Sequence, residues 1–405
     1  MKTRKNHRLK NGPQGHIDCI DASFQISFNF PVYFNFDLFN TGNVLLKNTL
    51  QISQNIQQKV LVYIDSGITD ANPSFSKTIN TYFDFYNQQL TLLDTPKILP
   101  GGEAAKQHSK IESLYSHMLA NKLDRHCCVL VIGGGALLDA VGFACASFHR
   151  GIPLVRMPST VLAQNDAGIG VKNGYNALHN KNLIGNFAPP QAVINDFLLL
   201  ETLQSRDKIS GLAEAVKVAV IRDASFFSWL EQNALLLTQF EADTSQYAIA
   251  RCAQLHLRQI THGGDPFESG NARPLDYGHW SAHKIETLTD FEIRHGEAVA
   301  IGMALDTRYA FEIDLINENE CLRLIHLLEK LGFALWHKVI DSVVDSTDEK
   351  EQHQLLRGLE EFRQHLGGEL CITLLTGIGK TTDVNNIDSK CMIRASNWLK
   401  LRHRI

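Results

Sequence analysis

Four clusters in this 405-residue chain bring together residue types that do chemistry. Gly133-Gly134-Gly135-Ala-Leu-Leu-Asp139 follows an apolar run and opens an Ala-rich stretch, which puts it at a strand-to-helix junction. There backbone N–H groups can approach a pyrophosphate, and the helix dipole favours its charge. A merely tight turn fits the same residues. Asp65 closes an earlier apolar run, a position suited to accepting from ribose hydroxyls or to ending a strand. His279-Trp-Ser-Ala-His283 sets two imidazoles on one helix face, and His295, opening a later helix, can fold back toward them. A metal site and a group of hydrogen-bonded interface histidines both satisfy that spacing, while the missing Glu of HExxH excludes a zinc protease of that type.

Gly211-Leu-Ala-Glu214-Ala-Val-Lys217 places two opposite charges three residues apart in an apolar helix. Buried charges must be paired, bind a metal or do work. Between Arg150 and Asn182 lie Ser159, Thr160, Asp166, Lys172 and Lys181, in stretches that read as Gly- and Asn-rich loops at strand ends. Several cations near one or two carboxylates suit a small phosphorylated ligand, and a solvated loop is the plainer alternative.

The elements that must hold these residues follow from periodicity. Phe24 to Phe39 alternates apolar with polar residues and predicts a hairpin. A polar helix near Leu45–Gln58, the run Val60–Ile64, a helix over Pro73–Gln88 and the run Cys127–Ile132 then alternate, which predicts a parallel α/β sheet to about Leu203. Beyond it, Gly211–Ile221, Ala248–Thr261, Glu297–Ile313 and Asn319–Leu331 carry three- and four-residue apolar spacing, so the second half reads as mostly helical.

Bulk properties narrow the field. Apolar residues at 44% and charged residues at 20% exclude a disordered or fibrous chain. Thirty-nine Lys and Arg against forty-three Asp and Glu leave a formal charge of −4, too near neutral for a nucleic-acid binder. The eight cysteines form no CxxC pair, the basic N-terminus leads into no apolar signal core, and no run of eighteen apolar residues occurs. These features predict a cytoplasmic chain with a frayed N-terminus that binds neither nucleic acid nor membrane.

The order GGGALLDAVGFACASFHRG, PSTVLAQNDAGIGVKNG, KNLIGNFAPPQAVI, SGLAEAVKVAVI, DYGHWSAHKIE, RHGEAVAIGM resembles the 3-dehydroquinate synthase family, the sugar phosphate cyclases, over roughly residues 60 to 380. The resemblance implies an α/β, Rossmann-like NAD-binding domain at 1–204 and a mostly α-helical metal- and substrate-binding domain at 205–405, with the active site between them. It implies a divalent metal (zinc or cobalt) on Glu214, His279 and His295. NAD would lie against Asp65, Glu103, Lys106, Gly134, Gly135, Asp139, Ser159, Thr160, Asp166, Lys181 and Thr202. Arg150, Asp166, Lys172, Asn182, Lys217, Asp276 and His283 would serve substrate and catalysis, with Arg150 reaching a neighbouring subunit of a homodimer. The implied chemistry is transient oxidation of a ring hydroxyl by NAD, loss of phosphate by β-elimination, return of the hydride, ring opening and aldol closure.

Departures from the family pattern bear on the substrate. Where dehydroquinate synthase proper grips a carboxylate with a Lys and an Arg, this chain has Arg258 and Ala272, with Arg273 one residue on, and Asp276 stands at an Asn position. GLEEFRQHLGGELCITLLTGIG is similar to the cyclases that use sedoheptulose 7-phosphate, although His283 stands where the valiolone-forming branch often has Pro. A sedoheptulose 7-phosphate cyclase is therefore the favoured expectation. The alternatives are 3-dehydroquinate synthase, with Arg258 and Arg273 rebuilding the clamp, a metal-dependent polyol or glycerol phosphate dehydrogenase, and an inactive binding protein.

Overall fold

The computed structural model describes residues 21–52, 56–178, 180–263, 274–343, 353–365 and 368–403. Strands β1 (Val32–Asn35), β2 (Gln58–Asp65), β3 (Leu90–Leu92), β4 (Lys97–Leu99), β5 (Cys128–Gly133), β6 (Leu154–Pro158) and β9 (Ala192–Asp196) form one parallel sheet. Its order is β1-β9-β6-β5-β2-β3, with β4 also on β2. Val60, Val62 and Ile64 of β2 join a core on one face, and Leu61 and Tyr63 join a core on the other. Helices α1 (Leu45–Leu50), α2 (Ser66–Ala71) and α3 (Phe75–Phe85) supply the first core; α4 (His108–Ala120) and α5 (Gly135–Ser147) supply the second. Covered faces on both sides explain why the strands read as unbroken apolar runs.

The chain leaves β2 outward to β3 and β4, then returns to β5 on the other side of β2. The crevice between the carboxyl ends of β2 and β5 is thus a topological switch point, where open α/β sheets bind ligands. Asp65 and the Gly133–Gly135 turn flank it.

Three expectations fail in this half. The predicted hairpin at Phe24–Phe39 is a single edge strand, β1, paired in parallel with β9, and residues 21–31 hold no regular structure. Its alternation has a different cause, since Phe34 turns inward to stack on Phe197 while Tyr33 and Phe36 face out. Conversely, the predicted loops around Lys172 and Asn182 are an antiparallel hairpin, β7 (Lys172–Ala177) and β8 (Asn180–Phe187). Asn and Gly are poor strand formers, but Asn173 compensates by donating to Asn186 Oδ1 at 3.1 Å and to the Ala188 carbonyl at 3.2 Å. The helix expected over Leu45–Gln58 is the shorter α1, which ends where Gln51 turns to an extended conformation, well before β2 starts at Gln58.

From Ser205 the chain is helical: α6 (Ser205–Arg222), α7 (Ala224–Thr238), α8 (Ala242–His262), α9 (His279–Leu288), α10 (His295–Glu312) and α11 (Glu318–Lys330), followed by helices Gln354–His365 and Ser389–His403. One hairpin, β10 (Ile372–Gly377) with β11 (Lys380–Val384), interrupts them and was not foreseen. Their apolar faces form a single core that also takes in Val161 and Leu200 from the first half. Among the described residues, no helix is long and apolar enough to cross a membrane, and all seven cysteines are free.

Candidate active site

Glu214 lies in the middle of α6, fully buried, with Lys217 one turn on against its Oε2. Neither Glu214 oxygen has a hydrogen-bond partner of good geometry. His279 Nε2 stands 3.8 Å and His295 Nε2 3.9 Å from Glu214 Oε1. The ligand atoms of the three residues lie within 4.8 Å of one another. Two bonds of ~2.0–2.2 Å meeting at one ion span distances of this order. A buried carboxylate with one oxygen against Lys217 and the other facing two imidazoles fits a divalent metal.

Backbone contacts bring these helices together. At α10, a Cβ on Gly296 would fall 1.8 Å from the Ser210 carbonyl of α6, and one on Gly302 would fall 2.0 Å from the Gly278 carbonyl that precedes α9. Gly278 itself has φ of +78°, which a side chain would strain. Glu297 accepts from the Arg294 backbone at 2.9 Å and from both ends of Arg206 at 2.7 Å, fixing the start of α10 where His295 sits. Asp306, buried on α10, accepts from Gly278 N at 3.1 Å and Trp280 Nε1 at 2.8 Å on either side of His279.

Charges in this cluster shape one another. Burial raises the Glu214 carboxyl, partly offset by Lys217. Burial also works against the Lys217 ammonium, but Glu214 and Asp166 outweigh it and raise its pKa. Burial and the nearby Lys217 and His295 push His279 well below the usual imidazole range, leaving it the neutral donor a metal requires. Burial pushes Asp306 up to about 7. Its neutral form contributes stability that is full below the unfolded carboxyl value of ~4 and is lost as pH climbs through about 7. Urea midpoints of the wild type should therefore fall across that window, and Asp306→Asn should flatten the slope; equal slopes would contradict this.

On the sheet side, Asp65, Gly134, Ser159 and Thr160 share the carboxyl edge. Asp65 caps α2 through Gly67 N at 2.9 Å and lies against Gly101, just before Glu103. Gly135 backs onto Ala167. Thr160 Oγ1 accepts from Ala163 N at 3.1 Å, and the Thr202 hydroxyl is turned to the Leu199 carbonyl at 2.7 Å. Lys106 Nζ joins Asp139 Oδ2 at 2.5 Å and Asn182 Oδ1 at 2.7 Å, so one residue expected at the substrate shares a cluster with two expected at the nucleotide. Lys181 reaches Glu103 at 3.1 Å and Glu286 on α9 at 3.3 Å.

His283 joins the metal cluster, its ring 5.5 Å from that of His279 and 6.1 Å from that of His295. Asp276, in the turn Pro274–Asp276, is close enough for its charge to favour the Lys217 ammonium. Lys172 opens β7, exposed at the rim. Arg150 sits apart: α5 runs 13 residues, ~20 Å, from Gly135, and Arg150 lies beyond its far end. Arg258 is exposed on α8, while Ala272 and Arg273 lie outside the described residues.

Three residues near the site escaped the sequence reading. His256 on α8 is buried with Nδ1 2.7 Å from Asp166 Oδ1. Burial opposes charge on Asp166, but His256 and Lys217 outweigh it and hold its carboxyl far down. A lone histidine in an amphipathic helix gave no signal. Arg156, fully buried on β6, donates to the Gly168 and Gly170 carbonyls at 3.2 and 2.7 Å and so pins the loop between Asp166 and Lys172. Glu286 accepts from His295 Nδ1 at 3.1 Å, and its spacing was legible, seven residues after His279 and three after His283. Burial would raise the Glu286 carboxyl, but His295 and Lys181 overcome it and bring it down to about 2.

The switch-point edge of the sheet half and the buried Glu-His-His cluster of the helical half meet through Lys181 with Glu286 and Asp166 with His256, setting a nucleotide-type sheet against a metal-type helical layer. Family models described as 3-dehydroquinate synthase N-terminal and 3-dehydroquinate synthase C-terminal match residues 97–210 and 211–354. The 3-dehydroquinate synthase of Rhodopirellula baltica is 36% identical over 287 residues, 70% of this chain and 76% of that protein. That of Shewanella loihica is 30% identical over 341 residues, 84% of this chain and 90% of that one. The chain belongs to the 3-dehydroquinate synthase family. Among solved structures, 2-epi-5-epi-valiolone synthase from Streptomyces hygroscopicus subsp. jinggangensis, with NAD+ and Zn2+ bound, superposes with a TM-score of 0.83 at 27% identity, covering 95% of this chain and all of that one. A 2-deoxy-scyllo-inosose synthase shares the fold with a TM-score of 0.72 at 22% identity, over 90% and 96% of the two chains.

Proposed function

We propose that the chain is a metal- and NAD-dependent sugar phosphate cyclase, a lyase that takes a ketose phosphate, sedoheptulose 7-phosphate, to a carbocycle with loss of phosphate. The observation that carries the chemistry is the buried Glu214, His279 and His295 cluster with Lys217 beside it. When bound, the metal supplies a Lewis acid and NAD a reversible hydride acceptor. Glu214, His279 and His295 would hold the metal. Asp65, Glu103, Lys106, Gly134, Gly135, Asp139, Ser159, Thr160, Asp166, Lys181 and Thr202 would line the nucleotide. Lys172, Asn182 and His283 would orient the phosphate, and Lys217, with Asp276 and Asp166, the hydroxyls. The division into domains at 204/205, a homodimer and the reach of Arg150 into the second subunit belong to the same reading.

What supports a ketose phosphate without a carboxylate over an acid phosphate is helix α8. It turns His256 inward to Asp166, whereas Arg258, two residues and ~200° round the helix, is exposed. With Ala272 at the other clamp position, no bidentate pair for a carboxylate is evident from the sequence. The second reading, 3-dehydroquinate synthase, is favoured by the names of the curated relatives. Phosphate release with NAD and Zn2+ or Co2+ separates them: we expect turnover of sedoheptulose 7-phosphate with no net absorbance gain at 340 nm. Turnover of the seven-carbon acid phosphate alone would replace the first reading with the second, and steady NADH accumulation would favour a dehydrogenase.

A further inference from the structure

Glu286 has no role in the cyclase reading, yet it touches the metal cluster. It is buried on α9, with Oε2 3.1 Å from His295 Nδ1 and Oε1 3.3 Å from Lys181 Nζ. His295 therefore turns Nδ1 to Glu286 and Nε2 toward Glu214. A carboxylate on the far ring nitrogen fixes the tautomer, aims the ring and strengthens the metal-facing nitrogen as a donor. Lys181 is held on its other side by Glu103 at 3.1 Å and lies 4.0 Å over the Phe291 ring. The line Glu103, Lys181, Glu286, His295 crosses from the sheet half to the helical half through one hairpin side chain.

We propose that Glu286 is the positioning residue for His295, and that Lys181 couples it to the nucleotide half, so that nucleotide and metal bind cooperatively. A cation bonded to Glu286 withdraws negative charge from the His295 contact. A nucleotide that engages Lys181 with its phosphates relieves that withdrawal and leaves His295 the stronger ligand. The coupling is reciprocal, so metal must tighten nucleotide by the same factor. This rests on the metal and nucleotide assignments of the proposed function and not on its substrate.

The test is calorimetric titration of Zn2+ into metal-stripped full-length protein, with and without saturating NAD. Wild type should bind one zinc per chain, tighter by about 5-fold or more with NAD present. Lys181→Met should bind zinc without NAD as tightly as wild type does with it, and NAD should add nothing. Glu286→Gln should keep one site, weakened about 10–100-fold, with a shifted visible spectrum of the Co2+ form. An unchanged affinity in Glu286→Gln would overturn the proposal. So would complete loss of zinc from a folded Glu286→Gln chain, which would make Glu286 a ligand in the alternative grouping His283, Glu286, His295. Cooperativity that survives Lys181→Met would do the same. If Glu286→Gln fails to fold, Lys181→Met decides alone. No arm needs turnover, so failure of the substrate reading leaves the result readable, whereas a wild type that binds no zinc sinks the proposed function itself.

Discussion

His279→Ala should leave a folded protein that retains no zinc after dialysis against a weak chelator, where the wild type keeps one ion per chain. The imidazole contributes one of three ligand atoms, and the next histidine, His283, lies 5.5 Å from it, ring to ring, on the exposed side, grouped with Glu286 and His295 and not with Glu214. Losing a ligand outright should exceed the ~10–100-fold that loss of an outer partner costs. Circular dichroism should change little, since His279 opens a helix that Asp306 holds through Gly278 and Trp280. Retained zinc stoichiometry would refute the ligand assignment.

Lys217→Met should have the largest effect on stability. Glu214 and Lys217 are 0% and 2% exposed, and removing one member of a buried ion pair costs ~3–5 kcal/mol because the other charge stays buried without a partner. The loss should be seen in urea unfolding of the metal-free protein. Zn2+ should restore much of it, since the ion takes the place of the ammonium beside the carboxylate. The deficit should also shrink as pH falls. Glu214 already titrates above its ordinary value because it is buried, and without Lys217 it sits higher still, so protonation relieves the folded state more than the unfolded one. A deficit below about 1 kcal/mol at neutral pH, insensitive to zinc, would show that the pair is not what stabilises α6.

The sequence exposed the parts of the site that repeat a local rule. Gly134 after an apolar run, Glu214 and Lys217 one turn apart in an apolar helix, and His279 four residues before His283 each follow from period and burial. What stayed hidden depends on contacts between distant segments. The His256 to Asp166 contact joins residues 90 apart, and nothing in α8 marks one histidine of its amphipathic face as special. The β7–β8 hairpin was read as loops because Asn and Gly weaken strand propensity, while its stability comes from side-chain bonds of Asn173 and from Arg156 beneath it. At Phe24–Phe39 the error ran the other way, with true alternation along an edge strand taken for two strands. Of the clamp positions, Arg258 stands exposed on α8, and Ala272 and Arg273 lie outside the described residues.

The glycine contacts of α10 have a wider bearing. Glu214, His279 and His295 come from three separate helices, and at Gly296 and Gly302 the spacing between those helices is set by main chain resting on main chain. Apolar side chains in the surrounding core can be exchanged and repacked with little change in how closely the helices approach at those two points. The backbones that carry the three ligands are therefore held at a set spacing, and side-chain partners such as Glu286 then aim the imidazoles. The entropy of bringing them together is borne by the folding of the helical core and not by metal binding, and an ion whose preferred bond lengths differ must strain a stop of backbone against backbone or be held more weakly.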